Sequence, residues 1–283
     1  MLKQGSYVGI ACCSNGLLGS YQPVVEELIE TLGSMGIISV CSDYLYSKKS
    51  VFSGSGSERA NALMNFYEDN NIEAIFDISG GDIANGILEY LDYDLIRKNP
   101  KPFFGYSDLT TVINAMFKKT GNVSYLYQVR NLIYEDKEMQ RKAFINSLFY
   151  GSPDLYDFKY KFLRGETMRG IVVGGNIRCL LKLAGTEYQP DWRNKILFLE
   201  SLGGEVALMT THLYQLKQMG VFEMVVGVLL GTFTIMEERD YQPTMEDLVL
   251  EIADQKMLPI AKTYEIGHSN HSKCIIIGKE LIL

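Results

Sequence analysis

Histidine is scarce in this chain of 283 residues, which holds only three, and tryptophan occurs once, at Trp192. An imidazole used in catalysis must therefore be His212, His268 or His271. Basic charge is also short: 27 Lys plus Arg stand against 34 Asp plus Glu, a net charge of −7. That balance excludes nucleic-acid or anionic-membrane binding as the leading reading, because either needs a basic face. No apolar run approaches the ~18 residues of a membrane span, and the longest, Met224 to Leu230, is broken by Gly227. The stretch Tyr7–Cys13 is too short for a secretory signal and lacks its basic lead. Five cysteines without a C-x-x-C pair describe neither a disulfide framework nor a zinc knuckle. Buried free thiols and a cytoplasmic location are the expectation.

What is present is an ordinary globular composition, 47% hydrophobic and 22% charged. Short apolar runs alternate with amphipathic stretches. Strands are predicted at Tyr7–Cys13, Ile37–Cys41, Ile72–Ile78 and Pro102–Gly105, with helices at Tyr21–Met35, Ser57–Asn70 and Leu109–Lys119 between and after them. In the second helix Ala60, Leu63, Met64 and Tyr67 share one face. The fold class is α/β, with a mostly parallel sheet covered on both faces. Ligands of such sheets bind at the carboxyl ends of the strands. That rule points to the loops at Gly80-Gly81 and Ser107.

From about residue 151 to 168 periodicity fades and the chain turns polar, which reads as a linker between a domain at 1–150 and another at 169–283. The second half begins with Arg169–Val173 and a loop, Gly174-Gly175-Asn176. Strands at Lys195–Leu199, Met224–Leu230 and Lys273–Ile277 follow, with helices at Glu205–Met219 and Thr244–Gln255.

Ser107 lies in Gly105-Tyr106-Ser107-Asp108-Leu109, between a buried strand and a helix. A serine there can face a substrate carbonyl with helix-start N–H groups beside it, or simply cap the helix. The segment resembles the nucleophile elbow of α/β-hydrolases, but Leu109 stands where the G-x-S-x-G pattern needs glycine. His268, in the turn Gly267-His268-Ser269-Asn270, is placed where a positioned base would be, although a surface turn explains it equally. His212 reads as a packing or surface residue of its helix. His268 and His271 lack the H-E-x-x-H spacing and further ligands of a metal site. Glu200 ends the apolar run Ile196-Leu197-Phe198-Leu199 and needs a partner, either a Lys or Arg or an imidazole that it orients. Gly80-Gly81 lacks the spacing and the Lys-Ser/Thr of a P-loop; its glycines instead let backbone N–H groups approach a reacting oxygen.

Taken together, these segments resemble the LD-carboxypeptidase family of serine peptidases, which includes the microcin C immunity peptidases. The resemblance spans nearly the whole chain. It rests on Ala74-Ile75-Phe76 leading to Gly80-Gly81, Gly105-Tyr106-Ser107-Asp108, Gly174-Gly175-Asn176, Ile196-Leu197-Phe198-Leu199-Glu200 and Ile266-Gly267-His268. It implies a flavodoxin-like N-terminal domain and a smaller β-rich C-terminal α/β domain. Ser107 is then the nucleophile, His268 the general base and acid, and Glu200 the residue that orients it. The N–H groups of Gly81 and Asp108 form the oxyanion hole, and Gly80 and Asp82 touch substrate. The family implies no metal or other cofactor, a small peptide or muropeptide substrate, and a homodimer. The implied reaction is hydrolysis of the amide before a terminal D-amino acid in cell-wall recycling. Ser79 before the double glycine and Asp82-Ile83 after it depart from the Arg and Tyr-Gly of many members, toward the immunity branch. Gln128-Val129 also replaces the usual Gly-Pro. Two alternatives stand beside the carboxypeptidase: hydrolysis of peptidyl or aminoacyl adenylates, and a non-catalytic two-domain binding protein.

Overall fold

The computed structural model describes residues 2–283, and its strands collect the apolar runs of the sequence. In chain order these are β1 (Tyr7–Ala11), β2 (Ile38–Cys41), β3 (Ile72–Asp77), β4 (Phe103–Gly105), β5 (Ser124–Leu126), β6 (Lys161–Arg164), β7 (Arg169–Asn176), β8 (Lys195–Ser201), β9 (Gly227–Phe233), β10 (Ile260–Lys262), β11 (Ile275–Ile277) and β12 (Glu280–Ile282). They form two six-stranded sheets, ordered β11-β5-β4-β3-β1-β2 and β12-β7-β8-β9-β10-β6. Strands β1 to β5 pair in parallel, as do β7 to β10; β11, β12 and β6 add antiparallel edges.

Alternation of side chains across each strand sorts the core into layers. Val8, Ile10, Ala74, Phe76 and Phe104 pack outward with the helices Gln22–Ser34 and Lys137–Tyr150. Ile75, Phe103 and Leu126 face the other way and share one apolar cluster with Val172, Ile196, Phe198 and Leu229 of the second sheet. Leu197, Leu199, Val228 and Leu230 pack beneath helices Val206–Gln218 and Met245–Ile252. A shared central layer therefore joins the two sheets. The helix Thr110–Thr120 lies in it, and Asn114 exchanges two hydrogen bonds of 2.9 Å with the N–H and carbonyl of Gly174.

Several sequence expectations change. Gly174-Gly175-Asn176 is not a loop: β7 runs through it, pairing Asn176 with Glu200 of β8, and Gly174 (φ +116°) and Gly175 (φ +139°) take positive-φ conformations that glycine admits within the strand. The polar 151–168 segment contains β6, an edge strand too short and too exposed to show periodicity. The run at Met224 divides into a helical turn, Val221–Met224, and β9, which extends to Phe233. Helix Lys137–Tyr150 escaped the pattern because its buried residues include Gln140 and Ser147 beside Phe144 and Leu148. The thiols of Cys12, Cys13, Cys179 and Cys274 are buried and free, but Cys41 is exposed at the edge strand β2. Among the described residues no helix is long and apolar enough to cross a membrane.

Candidate active site

At the carboxyl end of β4 the chain turns sharply into the helix Thr110–Thr120. Ser107 sits in that turn with φ +53°, a left-handed conformation that costs a non-glycine residue of order 1–3 kcal/mol and marks functional turns. Its hydroxyl caps no helix, since the N-cap positions are Tyr106 and Leu109 and neither makes a side-chain cap. A strained serine thus exists here without the second glycine of the hydrolase elbow. The loop after β3 lies against it: a Cβ on Gly80 would come 3.9 Å from that of Ser107.

Buried polar groups fix both loops. Asp77, fully buried at the end of β3, accepts from the Cys13 N–H at 2.7 Å, the Ser79 N–H at 2.9 Å and the Ser79 hydroxyl at 2.5 Å. Burial pushes its carboxyl pKa up, while these hydrogen bonds pull it down. Asp108, also fully buried, accepts from the Ser14 hydroxyl at 2.6 Å, the Ala84 N–H at 2.8 Å and Lys182 Nζ at 2.5 Å. Gly81 has φ +126°, and a Cβ there would overlap the Asn15 side chain, whose Oδ1 accepts the Asp82 N–H at 3.0 Å. Arg59 is buried and donates to the carbonyls of Cys13 and Ser14. Asp82 is exposed and paired with Arg178, which holds its carboxyl below the usual range.

The second sheet delivers the carboxylate and the imidazole. Ile196, Phe198 and Glu200 are alternate residues of β8 and share its inward face. Glu200 is fully buried, and its Oε2 lies 2.6 Å from His268 Nδ1. The Tyr106 hydroxyl donates to the same oxygen at 3.4 Å, and its ring packs on the imidazole with centroids 4.5 Å apart. Burial, then the Glu200 charge, pushes the Tyr106 pKa far up, so it remains a neutral donor. His268 Nε2 and Glu200 Oε1 are buried without partners among the described residues. The turn that carries His268 is tight, because a Cβ on Gly267 would overlap Thr232 Oγ1. The Thr232 N–H donates to the Ile266 carbonyl at 2.9 Å.

The structure therefore brings Glu200 and His268 into contact and sets Tyr106, the neighbour of Ser107, against both. Glu200 meets an imidazole and a phenol rather than a Lys or Arg. His268 is not a surface turn residue, for its side chain is only 9% exposed. His271 is exposed and lies 3.8 Å from Asp136. His212 is buried in its helix, and burial followed by the Arg178 charge lowers its pKa. Sequence reasoning missed Tyr106, Asp77, Asn15, Arg59 and Lys182. Only Arg59 carried a signal: with Leu63 and Tyr67 it repeats every four residues on an apolar helix face, where a cation needs buried acceptors. No group of three or more His, Cys, Asp or Glu among the described residues is arranged to hold a metal. A cavity of 450 Å³ opens at the opposite ends of the first-sheet strands, beside Ile72 and Pro102, away from Ser107.

The sequence model of the LD-carboxypeptidase N-terminal domain matches residues 8–127, and that of the C-terminal domain matches residues 169–283. A putative carboxypeptidase of Treponema pallidum is 29% identical over 98% of this chain and 89% of its own. A probable murein peptide carboxypeptidase of Bacillus subtilis is 27% identical over 93% of this chain and 86% of its own. The microcin C7 self-immunity protein MccF of Escherichia coli is 24% identical over 82% of this chain and 76% of its own. Among solved structures, an MccF-like protein from Bacillus anthracis superposes with a TM-score of 0.86 at 26% identity, covering 99% of this chain and 94% of that one. MccF in complex with aspartyl sulfamoyl adenosine shares the fold with a TM-score of 0.87 at 22% identity, covering 100% and 94%. With both family domains matched in order on a two-sheet α/β fold, the chain belongs to the LD-carboxypeptidase family.

Proposed function

We propose that this protein is a serine carboxypeptidase that hydrolyses the amide bond before a terminal D-amino acid of muropeptides, through Ser107, His268 and Glu200. The observation that carries the reading is the buried His268 Nδ1–Glu200 contact of 2.6 Å, with Nε2 left unpartnered on the other side of the ring. Glu200 accepts the Nδ1–H and so keeps Nε2 as the basic nitrogen. As Ser107 Oγ attacks the carbonyl carbon, its proton passes to Nε2, and Glu200 offsets the imidazolium charge. The oxygen of the tetrahedral intermediate turns to the N–H groups of Gly81 and Asp108. Collapse breaks the C–N bond, and the Nε2 proton goes to the departing amine. Water, deprotonated by the same nitrogen, then releases the acyl group from Ser107. Gly80 and Asp82 border the substrate in this reading.

A second reading is hydrolysis of peptidyl or aminoacyl adenylates by the same machinery. It is favoured by the whole-chain backbone match to MccF structures, one of them with aspartyl sulfamoyl adenosine. Trp192 offers such a substrate no ring for its adenine to stack on, because it is only 3% exposed and packed in the second-sheet core. A non-catalytic binding protein leaves the strain at Ser107 and the buried imidazole–carboxylate pair without a purpose.

Release of D-alanine from a muramoyl tetrapeptide and hydrolysis of an aminoacyl adenylate, compared by kcat/KM, separate the first two readings. D-Alanine release with no adenylate turnover is the expected result, and the reverse installs the second reading. Ser107→Ala lowers the operative activity by roughly 10⁴–10⁶-fold. An unchanged rate in that variant removes the serine mechanism.

A further inference from the structure

After Asn176 at the end of β7, one helical turn, Ile177–Leu181, places Arg178 and Lys182 four residues apart on the same face. Both side chains reach across to the first sheet. Lys182 Nζ donates to Asp108 Oδ1 at 2.5 Å and to the Asp82 carbonyl at 2.9 Å. Arg178 pairs with the Asp82 carboxylate, and its Nη2 donates to the Gly81 carbonyl at 3.1 Å. The two cations differ in exposure: the Arg178 side chain is 44% exposed and that of Lys182 only 17%. Solvent and salt therefore weaken the first pair much more than the second.

Asp108 directly follows Ser107, and its carboxylate has no exposure. Its second oxygen ties down Ser14 from the loop after β1 and Ala84 from the loop after β3. One carboxylate thus joins three loops, and the charge that balances it comes from the other sheet. We infer that Lys182 is a positioning residue for the oxyanion site, holding the Ser107 turn and the Gly81 loop in register and neutralising Asp108. The inference rests on the serine-peptidase reading. Without Lys182, a full negative charge would remain in the residue whose N–H faces the developing oxyanion. In a water-poor site two like charges so close oppose one another strongly. Asp108 then serves as an anchor only because a cation from the second sheet cancels it.

The test compares Lys182→Gln, Lys182→Arg and the double variant Lys182→Gln/Asp108→Asn. Readouts are kcat, KM and the rate at which a fluorophosphonate labels Ser107, with folding checked by circular dichroism. Lys182→Gln should lose about 10²-fold in kcat and in labelling rate, the scale of one lost oxyanion donor, with KM changed less than about threefold. Lys182→Arg, which keeps the charge, should stay within about tenfold of wild type, and the double variant should recover at least tenfold over Lys182→Gln. Wild-type rates in Lys182→Gln, or a double variant no faster than it, overturn the inference. Should Lys182→Gln not fold, the charge-free double variant decides: labelling within tenfold of wild type supports the role, and slower labelling overturns it. A wild-type protein that is not labelled at Ser107 at all defeats the serine-peptidase reading itself, a different result from labelling that ignores Lys182.

Discussion

Around Ser107 the backbone is held by buried polar side chains that reach it from several directions. Asp77 pins the loops after β1 and β3, Asp108 pins the turn itself, and Arg59 collects carbonyls from below. Around His268 the buried polar links are neutral: Ser272 Oγ accepts the Gly267 N–H at 3.0 Å, and Gln140 donates to the Ser272 carbonyl at 3.0 Å. Its turn is further held by close packing of Gly267 on Thr232 and of Gly231 on the Ile266 carbonyl, and its ring by Tyr106 and Glu200. The difference suits the task proposed for each part. Loops that present N–H groups and a strained serine must not relax, and satisfied buried hydrogen bonds resist relaxation. An imidazole that is to gain and lose a proton needs one directional ionic partner rather than a surrounding set of fixed charges. The two parts meet at Tyr106, whose backbone leads into the Ser107 turn and whose hydroxyl touches the Glu200 of the other sheet.

Glu200 is the carboxylate on which both the Tyr106 hydroxyl and the His268 ring rest. Glu200→Gln keeps the shape but loses control of the tautomer, so kcat should fall by about 10³–10⁴-fold while the fold persists. Steady-state kinetics with circular dichroism check this, and a fall of less than tenfold would remove Glu200 from the mechanism. Next in size is Gly267→Ala, which places a methyl group on Thr232 Oγ1. Overpacking of this kind costs about 1–3 kcal/mol, read from the urea midpoint. An unchanged midpoint would mean that packing does not hold the His268 turn. The smallest effect is a pH dependence. The buried His212 has its pKa lowered from 6.5 by burial and by the Arg178 charge. The unfolded chain takes up that proton below about pH 6.5 and the folded chain resists it, so stability falls as the pH drops through this range. His212→Leu should flatten that limb between pH 7.5 and pH 5, measured as the urea midpoint at each pH. A limb of the same slope in the variant assigns it elsewhere.

Much of this arrangement was legible in the sequence, for physical reasons that differ between elements. The strands β1, β3, β4 and β8 are buried on both faces, and so appear as plain apolar runs with chemistry-bearing residues at their carboxyl ends. Glu200 was conspicuous because a carboxylate ending such a run needs a partner, and the structure buries it fully against one. His268 was found by scarcity and by its glycine-led turn. Tyr106, Asn15 and Lys182 were not legible because each acts through a contact 65 residues or more away in the chain: Asn15 on Asp82, Lys182 on Asp108 and Tyr106 on Glu200. Edge strands such as β6 and β12 failed for another reason. Three or four residues half open to solvent carry too little alternation to register.

In the proposed mechanism a nucleophile from one sheet is activated by an imidazole–carboxylate pair from the other. Peptide mapping by mass spectrometry after reaction with diisopropyl fluorophosphate tests it most directly. A single diisopropylphosphorylated serine at Ser107 is expected, formed on the wild type, absent in Ser107→Ala and slowed at least 10²-fold in His268→Ala. Labelling of another residue, or a rate at Ser107 that does not depend on His268, would contradict it.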